Sequence, residues 1–398
     1  MRTPVLLAVA LGVACDPPAE VDPLAGLELM SEDPSDGPIR GLDEAWMERF
    51  DEGDVAFEEV FRATQGLGPN YIRASCASCH ADDARGPGVV TKMAVPGDPD
   101  AEAALLPWGT TERPYVAGGA TTPLVAPDDD RVLLTTRAPP AVFGRGFMEA
   151  VADATLRDLA AAQAADGRVS GRVNEVRCDF EANEASLFPA CTPGETTVGR
   201  FGLKARVATL DGFAADAYQG DMAITSPMRP YELDNPDDLD DDARPGVDID
   251  LETVNHAADY MRLLAVPGRD AVDDEGTFVA AGCDTCHTPS LPTRADWPVP
   301  QIAGVDAPIF TDLLLHDMGQ EASDGLTDGD ADPSEWRTAP LIGLRFLRSY
   351  MHDGRADTVE AAIEAHAAAG SEAGFSVDLY RALDDSRRAA LIAYVESL

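Results

Sequence analysis

The pattern Cys-x-x-Cys-His occurs twice, at Cys76 to His80 and at Cys283 to His287. Two thiols about one helical turn apart, followed at once by an imidazole, match the needs of c-type haem attachment. Each thiol can form a thioether with one porphyrin vinyl group while the histidine reaches the iron of the same ring. A fold built on these motifs must supply two apolar pockets. The expected attachment residues are Cys76, Cys79, Cys283 and Cys286, with His80 and His287 as proximal ligands. Cys-x-x-Cys also serves zinc sites and thiol redox centres. The wide separation of the two pairs and the oxidising compartment argued next weigh against a shared zinc site.

Three of the seven cysteines remain, Cys15, Cys178 and Cys191. Arg2 followed by the apolar run Val5 to Val13 reads as a secretory signal, too short to be a permanent transmembrane helix. Cys15 then follows Gly12, Val13 and Ala14, as in a bacterial lipoprotein processing site, although Leu11 lies one place early for the usual pattern. Residues 1–15 are therefore expected to be a lipoprotein signal peptide, leaving a membrane-anchored protein on the periplasmic side. Cys178 and Cys191 close a short loop, and a disulfide there would contribute about 2 to 3 kcal/mol through the unfolded chain.

Composition narrows the partners. The formal charge is −41, from 71 acidic and 30 basic residues, and Lys92 and Lys204 are the only lysines. Such a chain does not bind nucleic acid through phosphate contacts. Acidity on this scale fits either docking of a basic redox donor, such as a small cytochrome or copper protein, or a solvated surface suited to salt. The second is the simpler reading.

Residues 16–42, rich in Pro, Asp, Glu and Gly, read as a flexible tether. Helical spacing starts near Leu42, with Trp46, Phe50, Phe57, Val60 and Phe61. Long loops are expected from Arg85 to Pro140, a helix from Phe147 to Ala165, and helices from Ile249 to Leu264 and again before Cys283. The acidic stretch Asp234 to Asp242 suggests a boundary. The fold class expected is mainly α: two cytochrome c-like haem domains with long irregular loops, over residues 43–247 and 248–398. Near the end, Asp357 to Glu360 has capping-box character and Gly370 is placed to stop a helix. That helix carries Val359, Ile363 and His366 on one face. A last helix with Leu391, Ile392, Val395 and Leu398 would cover the second haem. A weak repeat links the halves, Arg137 to Gly144 (RAPPAVFG) and Arg337 to Gly343 (RTAPLIG), each placed as a distal wall.

From residue 50 onward the chain resembles the bacterial di-haem oxidoreductases, a peroxidase-like family also called thiol oxidoreductase-like. The resemblance rests on ordered blocks that include GLGPNYIRASCASCH, PPAVFGRGFMEAV, VGRFGLKA, DLLLHDMG, EWRTAPLIGL, MHDGRA and AIEAH. More distantly the arrangement is similar to di-haem cytochrome c peroxidases and to the methylamine-utilisation di-haem enzyme. It implies peroxide reduction at the first haem, with electrons relayed by the second.

Where the wider family usually has a methionine after the HDG motif, this chain has His366, implying a bis-histidine second haem. Met318 is the other candidate ligand. Met93 or Met148 could close the first haem instead of leaving it open. Peroxide reduction requires an acid/base group, for which Glu149 is the candidate. Trp336 or Trp108 could lie between the rings. His316 and His352, each followed by Asp, are expected to be oriented by a carboxylate or a propionate, and Arg337 and Arg355 to pair with propionates. Two other functions stay open, a non-catalytic electron-transfer cytochrome and an oxidase acting on a protein or peptide partner.

Overall fold

The computed structural model describes residues 36–81, 88–240, 243–269, 272 and 274–398. The signal peptide, Cys15 and most of the tether lie outside the described residues. Ten α-helices are present among them: α1 (Glu44–Glu58), α2 (Pro99–Leu105), α3 (Arg145–Glu149), α4 (Asp153–Asp166), α5 (Leu210–Met222), α6 (Leu251–Leu263), α7 (Glu275–Ala280), α8 (Val359–Ala365), α9 (Gly374–Ala382) and α10 (Asp385–Ser397). No helix among the described residues is long and apolar enough to cross a membrane.

Local sequence explains most of their ends. Asp43, Thr209, Asp250, Thr358 and Asp384 are N-caps whose side chains accept a backbone N–H of the first turn. Thr358 takes the cap of α8, one residue beyond the Asp357 expected, and His366 is the C-cap of the same helix. α1 buries Phe50 and Phe57 as its spacing requires, but it stops at Glu58, so Val60 is exposed while Phe61 turns inward. The single helix expected from Phe147 to Ala165 is two, because Val151 leaves the helix to form a bridge with Thr293.

The long loops carry only short strands: β1 (Asn70–Tyr71), β2 (Val90–Ala94), β3 (Tyr115–Val116), β4 (Leu133–Arg137), β5 (Glu175–Arg177), β6 (Thr196–Val198), β7 (Leu291–Pro292), β8 (Asp306–Ala307), β9 (Leu315–Asp317) and β10 (Glu335–Arg337). They pair as five antiparallel ribbons, β1 with β3, β2 with β4, β5 with β6, β7 with β8 and β9 with β10. The two central residues of the last ribbon, Trp336 and His316, lie opposite each other.

Each Cys-x-x-Cys-His motif follows one helix of a packed pair. α1 packs on α6, and α7 packs on α10. The two RxxP segments extend the correspondence. Gly144 N–H donates to the Leu264 carbonyl just after α6, and Gly343 N–H donates to the Leu398 carbonyl just after α10. Both glycines have positive φ, 68° and 59°. A Cβ on Gly144 would lie 2.7 Å from Ile342, and one on Gly343 would lie 2.7 Å from Phe143. Phe143 and Ile342 are themselves equivalent positions, so the two segments meet about an approximate two-fold axis.

This symmetry moves the boundary. The acidic stretch had put α6 in the second unit, at 248–398, whereas α6 closes the first. Its buried Val254, Ala258 and Leu263 belong to the same core as Phe57, Phe147 and Tyr218. Residues from Leu291 to Ile309, with Trp297 and Ile302, also return to that larger core. The second core is smaller, built from Phe278, Phe310, Val359, Tyr380, Leu391, Tyr394, Val395 and Leu398.

The Cys178–Cys191 disulfide is formed, with Cα atoms 5.9 Å apart. Its loop docks on α6: Asn183 donates to Asn255 at 2.6 Å, and Phe188 lies 3.9 Å under the Arg262 guanidinium. Gly343→Ala should destabilise the protein by about 1 to 3 kcal/mol, through its left-handed backbone and the overlap with Phe143. Denaturant unfolding monitored by circular dichroism measures the loss.

Candidate functional site

The second motif opens into a large cavity with about 1510 Å³ of free space, its mouth included. Cys283, Cys286 and His287 line one part of it, and Met318, Trp336, His352, Ile363 and His366 line others. His287 Nδ1 contacts the Phe310 carbonyl at 3.2 Å, and His366 Nδ1 contacts the Ala362 carbonyl at 2.6 Å. Each ring is thereby fixed by its own backbone, leaving Nε2 as the open nitrogen. The two ring centroids are 6.5 Å apart. A metal ion holding both Nε2 atoms at about 2 Å places the centroids roughly 6 Å apart, so the spacing fits one iron between them. Burial lowers both imidazoles, His287 to about 4, and the neutral form is the one that binds metal.

At the first motif, His80 lies 6.1 Å from the Phe57 ring. The Pro140 carbonyl is beside it without meeting hydrogen-bond geometry, so Nδ1 is buried and unpartnered. Burial lowers this imidazole to about 4 as well. Burial also pushes the Cys76 thiol up to about 12, and the Cys79 and Cys283 thiols to about 11.

No histidine ring among the described residues stands to His80 as His366 stands to His287. Met93 is buried with Val95, Leu106 and Leu124 in a separate cluster. The Met148 sulfur accepts from Arg145 at 3.1 Å. Ionisable groups gather there instead. α5 presents Tyr218 and Asp221, one turn apart, toward Cys76 and Cys79. The Tyr218 hydroxyl is buried without a partner, and burial and then Cys76 raise it well above the usual phenol range. Burial raises the Asp221 carboxyl against the opposing charges of Lys92, Arg113 and Arg206. No described side chain hydrogen-bonds that carboxylate. Lys92, lowered to about 8 by burial and then by Arg137 and Arg206, donates to Thr111 Oγ1 at 2.6 Å.

A family model described as "Di-haem oxidoreductase, putative peroxidase" matches residues 120–398. The chain belongs to the di-haem oxidoreductase family. The matched span includes the second motif and begins after the first. No curated protein matches the chain. Among solved structures it is similar to hydrazine synthase of Kuenenia stuttgartiensis, pressurised with xenon, at 14% identity over all of both chains with a TM-score of 0.37. It is also similar to the Y463M variant of the dihaem peroxidase BthA from Burkholderia thailandensis, at 16% identity, 79% of this chain and 70% of that one, with a TM-score of 0.34. At these scores neither likeness bears on the chemistry.

Within this di-haem oxidoreductase the sequence candidates fare unequally. Glu149 is not a free acid or base. It is 4% exposed, one carboxylate oxygen takes the Arg262 Nε–H at 2.6 Å, and the other accepts Leu210 N–H at 2.7 Å. Arg262 also pairs with Asp211 at 2.7 Å and Asp259 at 2.9 Å. Glu149 therefore joins helices rather than serving a substrate.

His316 is held between Asp312 at 2.9 Å and Glu372 at 3.0 Å, as its acidic surroundings required, and so has no nitrogen left for iron. Met318 remains on the cavity wall, two residues away. Arg337 lines the cavity while donating to the Gly202 and Thr338 carbonyls. Arg355 lies on the surface, paired with Asp353. His256 pairs with Glu52 of α1 at 3.2 Å. Trp108 is 39% exposed beside Tyr231 and Asp240, so it does not reach both motifs.

Tyr218 and Asp221 escaped the sequence reading. The available signal was Tyr218 on the apolar face set by Leu210, Ala214 and Met222, with an acid one turn on. Glu149→Gln should cost about 2 kcal/mol, by weakening charged hydrogen bonds inside the Arg262 cluster. Chemical denaturation checks that figure, and the visible absorption of the loaded protein should stay unchanged.

Proposed function

We propose that this di-haem oxidoreductase attaches two haems as thioethers, through Cys76 and Cys79 and through Cys283 and Cys286, and reduces peroxide at the first. The observation carrying this reading is the inequality of the two histidines. His287 faces His366 across a ring-sized gap, while the ionisable Tyr218 and Asp221 stand beside the thiols of the first motif. When the haems are bound, His80 and His287 would each hold the iron of the ring attached beside them, and His366, in preference to Met318, would hold the second iron with His287. Haem iron, when bound, supplies one-electron chemistry at a centre that can also bind an oxygen ligand.

The chain's own residues supply the rest. Peroxide consumes two electrons and two protons to become two waters. Asp221, kept protonatable by burial, takes a proton from one peroxide oxygen and returns it to the departing one. The Tyr218 hydroxyl, buried without a partner, donates a hydrogen bond to the peroxide. Lys92 and Arg206 favour charge developing on the departing oxygen. Glu149, paired with Arg262, has no part in this proton path.

Electrons come through the second motif from a soluble donor, a small cytochrome or copper protein. The excess of acidic residues supports a basic donor. Arg2, the apolar run to Val13 and Cys15 support export and lipid anchoring on the periplasmic side, where a disulfide persists.

Absorption and electron paramagnetic resonance of the holo-protein in both redox states, followed by peroxide titration, test this reading. The expected result is one six-coordinate low-spin haem and one open haem, with peroxide consumed. Two permanently six-coordinate haems with no peroxide turnover would make the protein an electron-transfer cytochrome. Asp221→Asn should lower kcat/KM for peroxide by roughly 100-fold or more, the usual range for loss of a proton-transfer group, with the spectrum of the second haem unchanged. His366→Gly should convert the low-spin signal to high-spin, and a retained low-spin signal would return the ligand assignment to Met318.

A further inference from the structure

Trp336, on β10, is covered on both faces. His352 stacks on one, with ring centroids 3.8 Å apart and planes at 14°. Because that face is occupied, the Lys204 amine, 4.1 Å from the indole centroid, covers the other. Arg137 adds a guanidinium at 5.6 Å. Lys204 is 0% exposed, and its Nζ donates to the carbonyls of Asp332 and Pro333 at 2.8 Å and of Glu335 at 3.0 Å. Burial lowers the amine to about 8, yet three acceptors for three N–H groups and the Asp324 carboxylate favour the ammonium form. Asp324, 3.4 Å from Nζ, and Asp328 hold the two cations in place, yet the cations are what touch the ring. The stacked imidazole adds no charge, since burial lowers His352 to about 4.

The indole N–H offers no relief either. It donates to the Ala322 carbonyl at 2.9 Å, and a carbonyl cannot take the proton. An indole that loses an electron is stabilised by nearby negative charge or by shedding that proton; here the groups against the ring are cations, with Asp324 and Asp328 already paired to them, and the proton has no acceptor able to take it.

Its position makes this consequential. Trp336 lines the cavity with Cys286 and His287. The His352 carbonyl accepts Ala138 N–H at 2.8 Å, on the segment whose Pro140 carbonyl faces His80. One path between the two motifs, across the cavity and along this backbone segment, therefore passes this indole.

We propose that Lys204 keeps Trp336 reduced, so that electrons cross between the two sites past the indole without oxidising it. This rests on the di-haem reading above. In the crossing, the second site loses an electron, the first gains it, and Trp336 is unchanged. Without the cation, Trp336 itself would yield two electrons to the oxidised site. It would then add one water and release two protons, gaining the mass of one oxygen.

Holo wild type, Lys204→Met and Lys204→Arg can be oxidised in two arms. One uses hydrogen peroxide without donor, and the other photo-oxidised tris(bipyridine)ruthenium with persulfate as acceptor. Peptide mass spectrometry then reads the oxygen gained at Trp336, with exposed Trp108 as internal reference. Trp336 oxidation should rise about tenfold in the Met variant, the scale of a desolvated cation–ring contact, and stay at the wild-type level in the Arg variant. Equal Trp336 oxidation in wild type and the Met variant would overturn the proposal, as would an Arg variant behaving like Met. If peroxide is not consumed while the ruthenium arm gives the expected pattern, peroxide reduction fails and the role of Lys204 stands. Should the Met variant not fold, wild type decides alone: Trp336 oxidised ahead of the comparably buried Trp297 would overturn the role of Lys204.

Discussion

Arg262 sits on α6 with no exposure to solvent, and its guanidinium reaches Glu149 of α3, Asp211 of α5 and Asp259 of its own helix. Arg49 of α1 completes the group through Asp259 at 2.6 Å. Four helices of the larger core thus meet at one charge cluster. A buried guanidinium with fewer partners would be costly to desolvate, and so would three carboxylates without it. The cluster is therefore a strong constraint on geometry even where its net stabilisation is small. Phe188 roofs the guanidinium and itself contacts Trp46 and Trp297, which explains why the disulfide loop bearing Phe188 is fastened at its base.

The first motif depends on this arrangement, because α6 orients α1 and α5. α1 leads to the first Cys-x-x-Cys-His, and α5 brings Tyr218 and Asp221 against its thiols. In the second unit α10 packs on α7, with Phe278 against Tyr394. The two units share a plan, helix pair and RxxP–Gly segment, but differ in what stabilises them. The difference extends to their chemistry: a cavity wall ending in His366 on one side, an ionisable cluster on the other.

Much of this was legible in the chain. The spacing of Cys, Cys and His carries its own chemistry, and His366 lies on the apolar face of its helix because Val359 and Ile363 precede it by two turns and by one. The caps at Asp43, Asp250 and Asp384 follow from local hydrogen bonding, which sequence shows directly. Glu149 was misread for a specific reason. A carboxylate next to a conspicuous motif looks available until its partner is known, and Arg262 is over a hundred residues away in the chain. The boundary failed similarly, since the acidic stretch before α6 marks a surface loop, whereas a unit is bounded by which helices pack together.

The sequence by itself determined the di-haem class, the two Cys-x-x-Cys-His motifs, the disulfide and the opposition of His287 and His366. Each depends on residue type and short spacing, and backbone geometry makes that information local. Tertiary structure alone decided that α6 closes the first unit, that Glu149 serves Arg262, that Asp221 faces the first motif, and that Lys204 lies on Trp336. These depend on pairing groups distant in sequence, and a buried charge is assigned its role by the partner that desolvates with it.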